Sequence, residues 1–298
     1  MTQDAKAGLM QCYRQIAWCP AAGLDDDWLK AVFRQYGAGN GRILDPFCGS
    51  TGLPLCAAIH GHEIIAVDSD PLARIFIEAI RANYRYFKAL AVYPAAIPDH
   101  DARQAIVHIQ QSGQFDHHPA SVLALLHCVS HIGHCAFPAD TGNLADRYAA
   151  IRADAEEFFF QLEPYQLVIS KNLGYQSVAV GALAIRNQVD LCLFDPPGFR
   201  AEAPDRAWQT VRAFLGLAQP SADHGEGTGE EALLPLLAAC HDALKAGGHM
   251  LFPLPADHHA QQETLLAALR RLGLDARGEE LQGRPFLALQ KPDQANAA

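Results

Sequence analysis

The chain has 298 residues, half of them hydrophobic and 19% charged, which is enough to bury one large core and excludes disorder or a coiled coil. Its 23 basic and 33 acidic side chains give a net charge of −10, so the totals hold no standing basic surface for duplex DNA. No apolar run reaches the roughly 18 residues of a membrane span, Met1-Thr2-Gln3-Asp4 lacks the basic-then-apolar pattern of a signal peptide, and eight Cys without a CxxC pair suit reduced thiols in a cytoplasm.

In chain order, the first 37 residues read as a short lead-in and then a helix. Asp25, Asp26 and Asp27 supply its cap and first-turn acids, and Trp28, Leu29, Val32, Phe33 and Tyr36 its apolar face. A strand is expected at Arg42–Asp45, a helix near Leu53–Ile59, a second strand over Glu63–Asp68, and a long helix from Pro71 to about Phe87. From Lys88 to about Tyr175 the alternation fails. That stretch, taken as 88–175, reads as a mainly helical insertion with helices at Val122–Phe137 and Leu144–Leu162. Strands at Ser177–Gly181 and Leu191–Asp195 resume the pattern. A helix over Glu230–Lys245, a strand at His249–Leu254, a helix at Gln261–Leu272 and a closing antiparallel pair at Asp275–Leu281 and Arg284–Gln290 complete it. Strands alternating with helices imply an open α/β sheet, with residues 1–298 forming a single domain that carries the insertion. Such sheets bind ligands beyond the carboxyl ends of their strands.

The sharpest local signal is Asp45-Pro46-Phe47-Cys48-Gly49-Ser50-Thr51-Gly52, where the first strand gives way to a helix. Glycines there let backbone approach a ligand with its amides pointing outward. Sixteen residues after Gly52, Asp68 closes the second strand, a position where an acid grips a ribose diol. A nicotinamide site would share these features but would need G-x-G-x-x-G, which is absent; a tight turn without a ligand is the plain alternative.

The octet resembles the D-P-F-C-G-S-G-T motif of S-adenosylmethionine-dependent amino-methyltransferases, the class that includes the N6-adenine and N4-cytosine DNA methylases. Asp195-Pro196-Pro197-Gly198-Phe199 resembles their D/N/S-P-P-Y/F motif, and both stand in the family's order, each at a strand end. Val67–Ala73 and Lys245–Gly248 resemble further family segments, and the likeness covers roughly residues 14–87 and 175–290. It implies a Rossmann-like methyltransferase fold with a seven-stranded, mostly parallel sheet, and S-adenosylmethionine as cofactor. By the same resemblance Asp45, Pro46, Phe47, Cys48, Gly49, Ser50 and Gly52 surround the cofactor's methionine part, and Asp68 accepts the ribose hydroxyls. Trp18 and Pro20 sit where relatives hold a segment touching the methionine end; a surface turn with Trp18 in the core is the alternative. Asp195, Pro196, Pro197 and Phe199 are the expected catalytic set. A carboxylate and a rigidly held carbonyl accept the two N–H bonds of an exocyclic base amine and turn its lone pair toward the methyl group, while the aromatic ring stacks on the base.

Two positions depart from the pattern. Gly49-Ser50-Thr51-Gly52 stands where relatives read G-S-G-T, and Gly198 stands where they hold the aromatic residue. The expected acceptor is a nucleobase amine, DNA before RNA, with Arg groups or a partner subunit meeting phosphate. Gly225–Glu231 resembles a stretch of protein glutamine methyltransferases, so a protein-amide or small-molecule N-methyltransferase is the alternative. A catalytically silent binding subunit is a third reading. In His127-Cys128-Val-Ser-His131-Ile-Gly-His134-Cys135, His127, His131 and Cys135 share a helix face, but without a CxxC pair packing is expected rather than a metal. Phe158-Phe159-Phe160 reads as a core-facing turn, and Arg200, Arg206, His258 and His259 as solvated positions.

Overall fold

The structure, a computed structural model, describes residues 3–17, 26–37, 39, 41–82, 120, 123–124, 126–128, 144–194, 206–214, 230–254 and 259–292. They fall into two compact units, one of Met1–Pro20, Ile75–Leu167 and Pro204–Gln219, the other of Ala21–Arg74, Val168–Ala203 and Pro220–Ala298.

The second unit is built on a seven-stranded sheet. Its strands are β1 (Arg42–Asp45), β2 (Glu63–Val67), β3 (Leu173–Gln176), β4 (Val189–Leu193), β5 (Leu244–Pro253), β6 (Ala276–Leu281) and β7 (Arg284–Gln290). They lie in the order β3-β2-β1-β4-β5-β7-β6; β7 runs antiparallel to both β5 and β6, and every other pair is parallel. This is the Rossmann-like, mostly parallel sheet expected of the methyltransferase fold. Strand order reverses between β1 and β4, and open α/β sheets bind ligands outside the carboxyl ends of their strands beside such a point. The register sets Asp45 level with Ala66, and Val67 level with Gln176, so the ends of β1, β2 and β3 form one rim.

The helices follow from simple local chemistry. In α1 (Gln3–Ile16) and α2 (Asp26–Tyr36), which belong to the first and second units respectively, apolar residues recur at helical spacing and are buried. Expected boundaries hold closely for α2 and for α3 (Gly52–Ile59), whose Pro54 lies in the first turn, where its missing N–H costs nothing. Asp70 accepts the Leu72 N–H at 2.8 Å and caps α4 (Pro71–Arg81).

Further on, α5 (Leu144–Leu162) has the expected bounds. The sheet resumes earlier than expected. After α6 (Gln166–Asn172), Leu173–Gln176 forms β3, whereas Val180–Ala182, overlapping the end of the expected strand Ser177–Gly181, is a 3-10 turn. Val180, Leu183 and Ile185 are apolar because this irregular segment is buried against α8 (Glu230–Ala243), not because it alternates as a strand. In chain order α7 (Arg206–Phe214) follows β4, and α9 (His259–Arg271) precedes β6.

In the first unit α1, expected only as a lead-in, packs on α5 through Tyr13 and Phe158, ring centroids 5.2 Å apart. Phe158 and Phe159 are fully buried, but Phe160 is 55% exposed, so the triplet faces the core only in part. His127 receives its role here: its Nδ1 lies 2.9 Å from the Ile16 carbonyl at the end of α1. Burial pushes the Cys128 thiol up to about 11. His131, His134 and Cys135 lie outside the described residues, and no group of three or more metal-ligating side chains occurs among those described.

At the amino ends of the strands the polar contacts are structural. Lys245 Nζ donates to both Asp190 carboxylate oxygens (2.9 and 2.8 Å), and Asp190 also accepts the Arg42 N–H at 2.8 Å. Lys291 Nζ donates to Asn187 Oδ1 at 3.0 Å and to the carbonyls of His241 and Leu244 at 3.2 and 2.8 Å, closing the carboxyl end of α8. Replacing Lys291 with Met keeps the stem and removes all three donors; urea denaturation should show a loss of about 1–3 kcal/mol.

Three histidines of this unit resist protonation. Burial holds His62, His241 and His249 below the ordinary imidazole value; Lys291 adds to the effect at His241, and Glu279 opposes it at His249. His62 Nδ1 and His241 Nε2 are buried without a hydrogen-bond partner among the described residues. The unfolded chain takes up these protons at about pH 6.5 and the folded chain only below it. Stability is therefore full above that pH and declines as pH falls through the folded values. The urea midpoint should drop between pH 7.5 and 5.5, and His62→Phe should flatten that slope.

Candidate functional site

The candidate site is built from the loop after β1 and the residue after β2. Backbone geometry shapes the loop. Gly49 has φ +45°, and Thr51 has φ +65° while fully buried. Thr51 is the residue immediately before α3 and carries the left-handed turn itself. A β-branched residue thus sits in a left-handed turn, a strain of order 1–2 kcal/mol. Thr51 N–H donates to the Cys48 carbonyl at 2.6 Å, and the Thr51 carbonyl accepts the first helical bond of α3, from Leu55 at 3.0 Å.

The carboxylates then organise the loop. Asp45, 6% exposed, accepts the Phe47 N–H at 3.2 Å. Asp68, half-buried, accepts the Gly49 N–H on Oδ2 at 3.0 Å and the Asp70 N–H on Oδ1 at 2.8 Å. The first bond ties the β1 loop to the end of β2, and Cys48 N–H to the Val67 carbonyl (3.2 Å) ties it again. An ionised carboxylate offers about four lone-pair sites. The Gly49 and Asp70 amides fix the orientation of both oxygens.

The remaining loop side chains divide by direction. Phe47 is half-buried and packs on the core, edge to face with Phe194 at 5.3 Å; Phe194 in turn meets Phe252 at 5.5 Å. Pro46 is buried, while Gly49, Ser50 and Gly52 are half-exposed along the loop. Cys48 is 5% exposed, and burial first, then the Asp68 and Asp45 carboxylates, push its thiol well above the ordinary value. It is a neutral thiol, unsuited to nucleophilic attack.

Asp45, Phe47, Cys48, Gly49 and Asp68 are thus joined by direct hydrogen bonds or chain continuity in one rim. Trp18, Pro20, Asp195, Pro196, Pro197 and Phe199 lie outside the described residues, as do Arg200 and His258. Phe194, immediately before Asp195, is 1% exposed and donates its N–H to the Leu251 carbonyl at 2.9 Å, so the chain is held firmly up to that point.

The sequence reading missed Tyr175. It stands at the end of β3, half-buried, and its hydroxyl donates to the Asp68 carbonyl at 3.1 Å. Burial raises its pKa, the Ser177 side-chain hydrogen bond opposes the rise, and Cys48 and Asp68 add to it. Its position was assigned to the end of the insertion because the strand was expected two residues beyond it. The pattern Leu173-Gly-Tyr175-Gln, a short strand ahead of a polar turn, was the available signal.

No family model matches the chain, and no curated protein does. Solved structures with a similar arrangement include a proposed S-adenosyl-L-methionine-dependent methyltransferase from Methanococcus maripaludis, 10% identical, covering 99% of this chain and 96% of that one with a TM-score of 0.44. A TehB-like SAM-dependent methyltransferase from Corynebacterium glutamicum is 14% identical over 95% of this chain and 98% of its own, TM-score 0.40. A SAM-dependent methyltransferase from Methanosarcina mazei is 10% identical over 88% and 98%, TM-score 0.39. These likenesses are distant, and the fold class rests on the strand order itself.

Proposed function

We propose that the protein is an S-adenosylmethionine-dependent N-methyltransferase acting on the exocyclic amine of a nucleobase, DNA before RNA. The observation that carries the cofactor assignment is the Asp68 carboxylate, aimed by two backbone amides and set beside a left-handed loop at the carboxyl ends of β1 and β2. The residues present fit that cofactor: a half-buried acceptor for a vicinal diol, half-exposed Gly49, Ser50 and Gly52 in the loop beside it, and a neutral thiol in place of a competing nucleophile. When bound, S-adenosylmethionine supplies a methyl group on a sulfonium sulfur. This chain's part is to bind and orient. Asp68 accepts the ribose hydroxyls, the Asp45–Ser50 loop meets the methionine end, and Asp195 with the Pro196 carbonyl accepts the amine N–H bonds, with Phe199 against the base.

The nucleobase assignment rests on the Asp195–Phe199 motif, and the net charge of −10 weighs against a standing DNA-binding face. Phosphate contacts would then come from local Arg groups or a partner subunit. No helix among the described residues is long and apolar enough to cross a membrane, and a cytoplasmic location is part of this reading. The test is transfer of tritiated methyl groups to DNA, RNA, and the protein and small-molecule fractions of a cell extract. Label entering nucleic acid, reduced about 100-fold or more in Asp195→Ala, supports the reading. Label confined to protein or small molecules overturns the nucleobase assignment in favour of an amide or small-molecule acceptor.

A further inference from the structure

Asp68 is fixed at four points. Its two carboxylate oxygens accept Gly49 and Asp70 amides, its own N–H donates to the Gln176 carbonyl at 3.2 Å, and its carbonyl accepts the Tyr175 hydroxyl at 3.1 Å. The N–H bond continues the parallel pairing of β2 with β3. The carbonyl bond differs in kind, because β2 ends at Val67 and a side chain supplies the donor. Tyr175 is itself placed by the sheet, level with Ala66, and its hydroxyl is bonded to the Ser177 side chain.

We infer that Tyr175 is a positioning residue for ribose recognition: its hydroxyl fixes the Asp68–Ser69 peptide plane and thereby aims the Asp68 carboxylate. This rests on the reading of the candidate site as one for an adenosyl ligand, and it assigns a role to a residue outside both motifs. The physical logic is local. A peptide plane at the end of a strand swings about ψ of its first residue unless its carbonyl is held, and that swing carries the Asp70 N–H, which holds one carboxylate oxygen, along with it. Tyr175→Phe keeps the ring and removes only the donor. The loss of one neutral hydrogen bond that acts through another residue corresponds to a drop of about five-fold in affinity. The loss should depend on the ribose hydroxyls, since those are what Asp68 receives.

The experiment is calorimetric titration of S-adenosylhomocysteine and of its 2′,3′-dideoxy analogue into wild type, Tyr175→Phe and Ser177→Ala. The expected result is that Tyr175→Phe weakens S-adenosylhomocysteine by about five-fold and leaves the dideoxy analogue unchanged. Ser177→Ala should shift the same ligand in the same direction by less. Equal losses for both ligands, or no loss for either, overturn the positioning role while the adenosyl site stands. Failure of the wild type to bind S-adenosylhomocysteine overturns the site reading and this inference together. If Tyr175→Phe does not fold, the ribose-dependent split in Ser177→Ala decides.

Discussion

Asp68→Ala is expected to weaken S-adenosylmethionine binding by about 100-fold or more. A hydrogen bond to a charged group contributes about 1.5–3 kcal/mol, and a ribose diol makes two with one carboxylate, so their loss amounts to at least two powers of ten in Kd. The substitution also releases the Gly49 and Asp70 amides that the carboxylate now accepts. The loop after β1 would lose its side-chain tie from Gly49 to the end of β2 while the Cys48–Val67 backbone bond remains. Asp68→Asn is expected to do little better. Its amide nitrogen cannot accept, so one of the two backbone N–H groups would face another donor. Calorimetry on the three proteins separates these effects, because a purely local role for the negative charge would leave Asn close to Ala in affinity but close to wild type in thermal stability. The bonding pattern predicts that both variants lose thermal stability as well.

Phe194→Ala is expected to cost about 3–5 kcal/mol in urea denaturation. The side chain is 1% exposed and stands between Phe47 in the loop and Phe252 in β5. The sheet cannot collapse to fill the space, because the strands on either side are fixed by their ladders. Part of the effect belongs to the loop. Phe47 packs edge to face on Phe194, and a double-mutant cycle with Phe47→Leu should yield a coupling of about 0.5–1.5 kcal/mol. Since Phe47 anchors the same loop that holds Cys48 and Gly49, Phe194→Leu should fold and still bind ligand more weakly than wild type. A variant that loses stability with unchanged affinity would show that the loop is held by its backbone bonds alone.

The main features of the sheet were legible because each is written locally. Arg42–Asp45 and Glu63–Val67 are apolar runs bounded by glycine or charge, and Leu144–Leu162 has helical spacing throughout. The antiparallel closure at β6 and β7 turns on Gln282-Gly283, both with positive φ. What failed was local in another sense. Ser177–Gly181 has the composition of a strand, but its apolar residues serve a coil packed on α8, and burial without periodicity is invisible to a pattern of alternation. The true strand, Leu173–Gln176, has one fully apolar side chain and a glycine, so tertiary pairing with β2 decides it. That error hid Tyr175. Within the site, the glycines of the loop and Asp68 were readable from position and spacing, and Asp45 from the motif resemblance alone. That Thr51 rather than a glycine takes a left-handed conformation, φ +65°, needed coordinates.

The central claim, that the site at the ends of β1 and β2 receives S-adenosylmethionine, is tested most directly by calorimetric titration of that molecule into the wild-type protein. Saturable binding at one site per chain is the result predicted. Absence of heat at any ligand concentration up to the millimolar range, from protein shown to be folded by its cooperative urea transition, would contradict it.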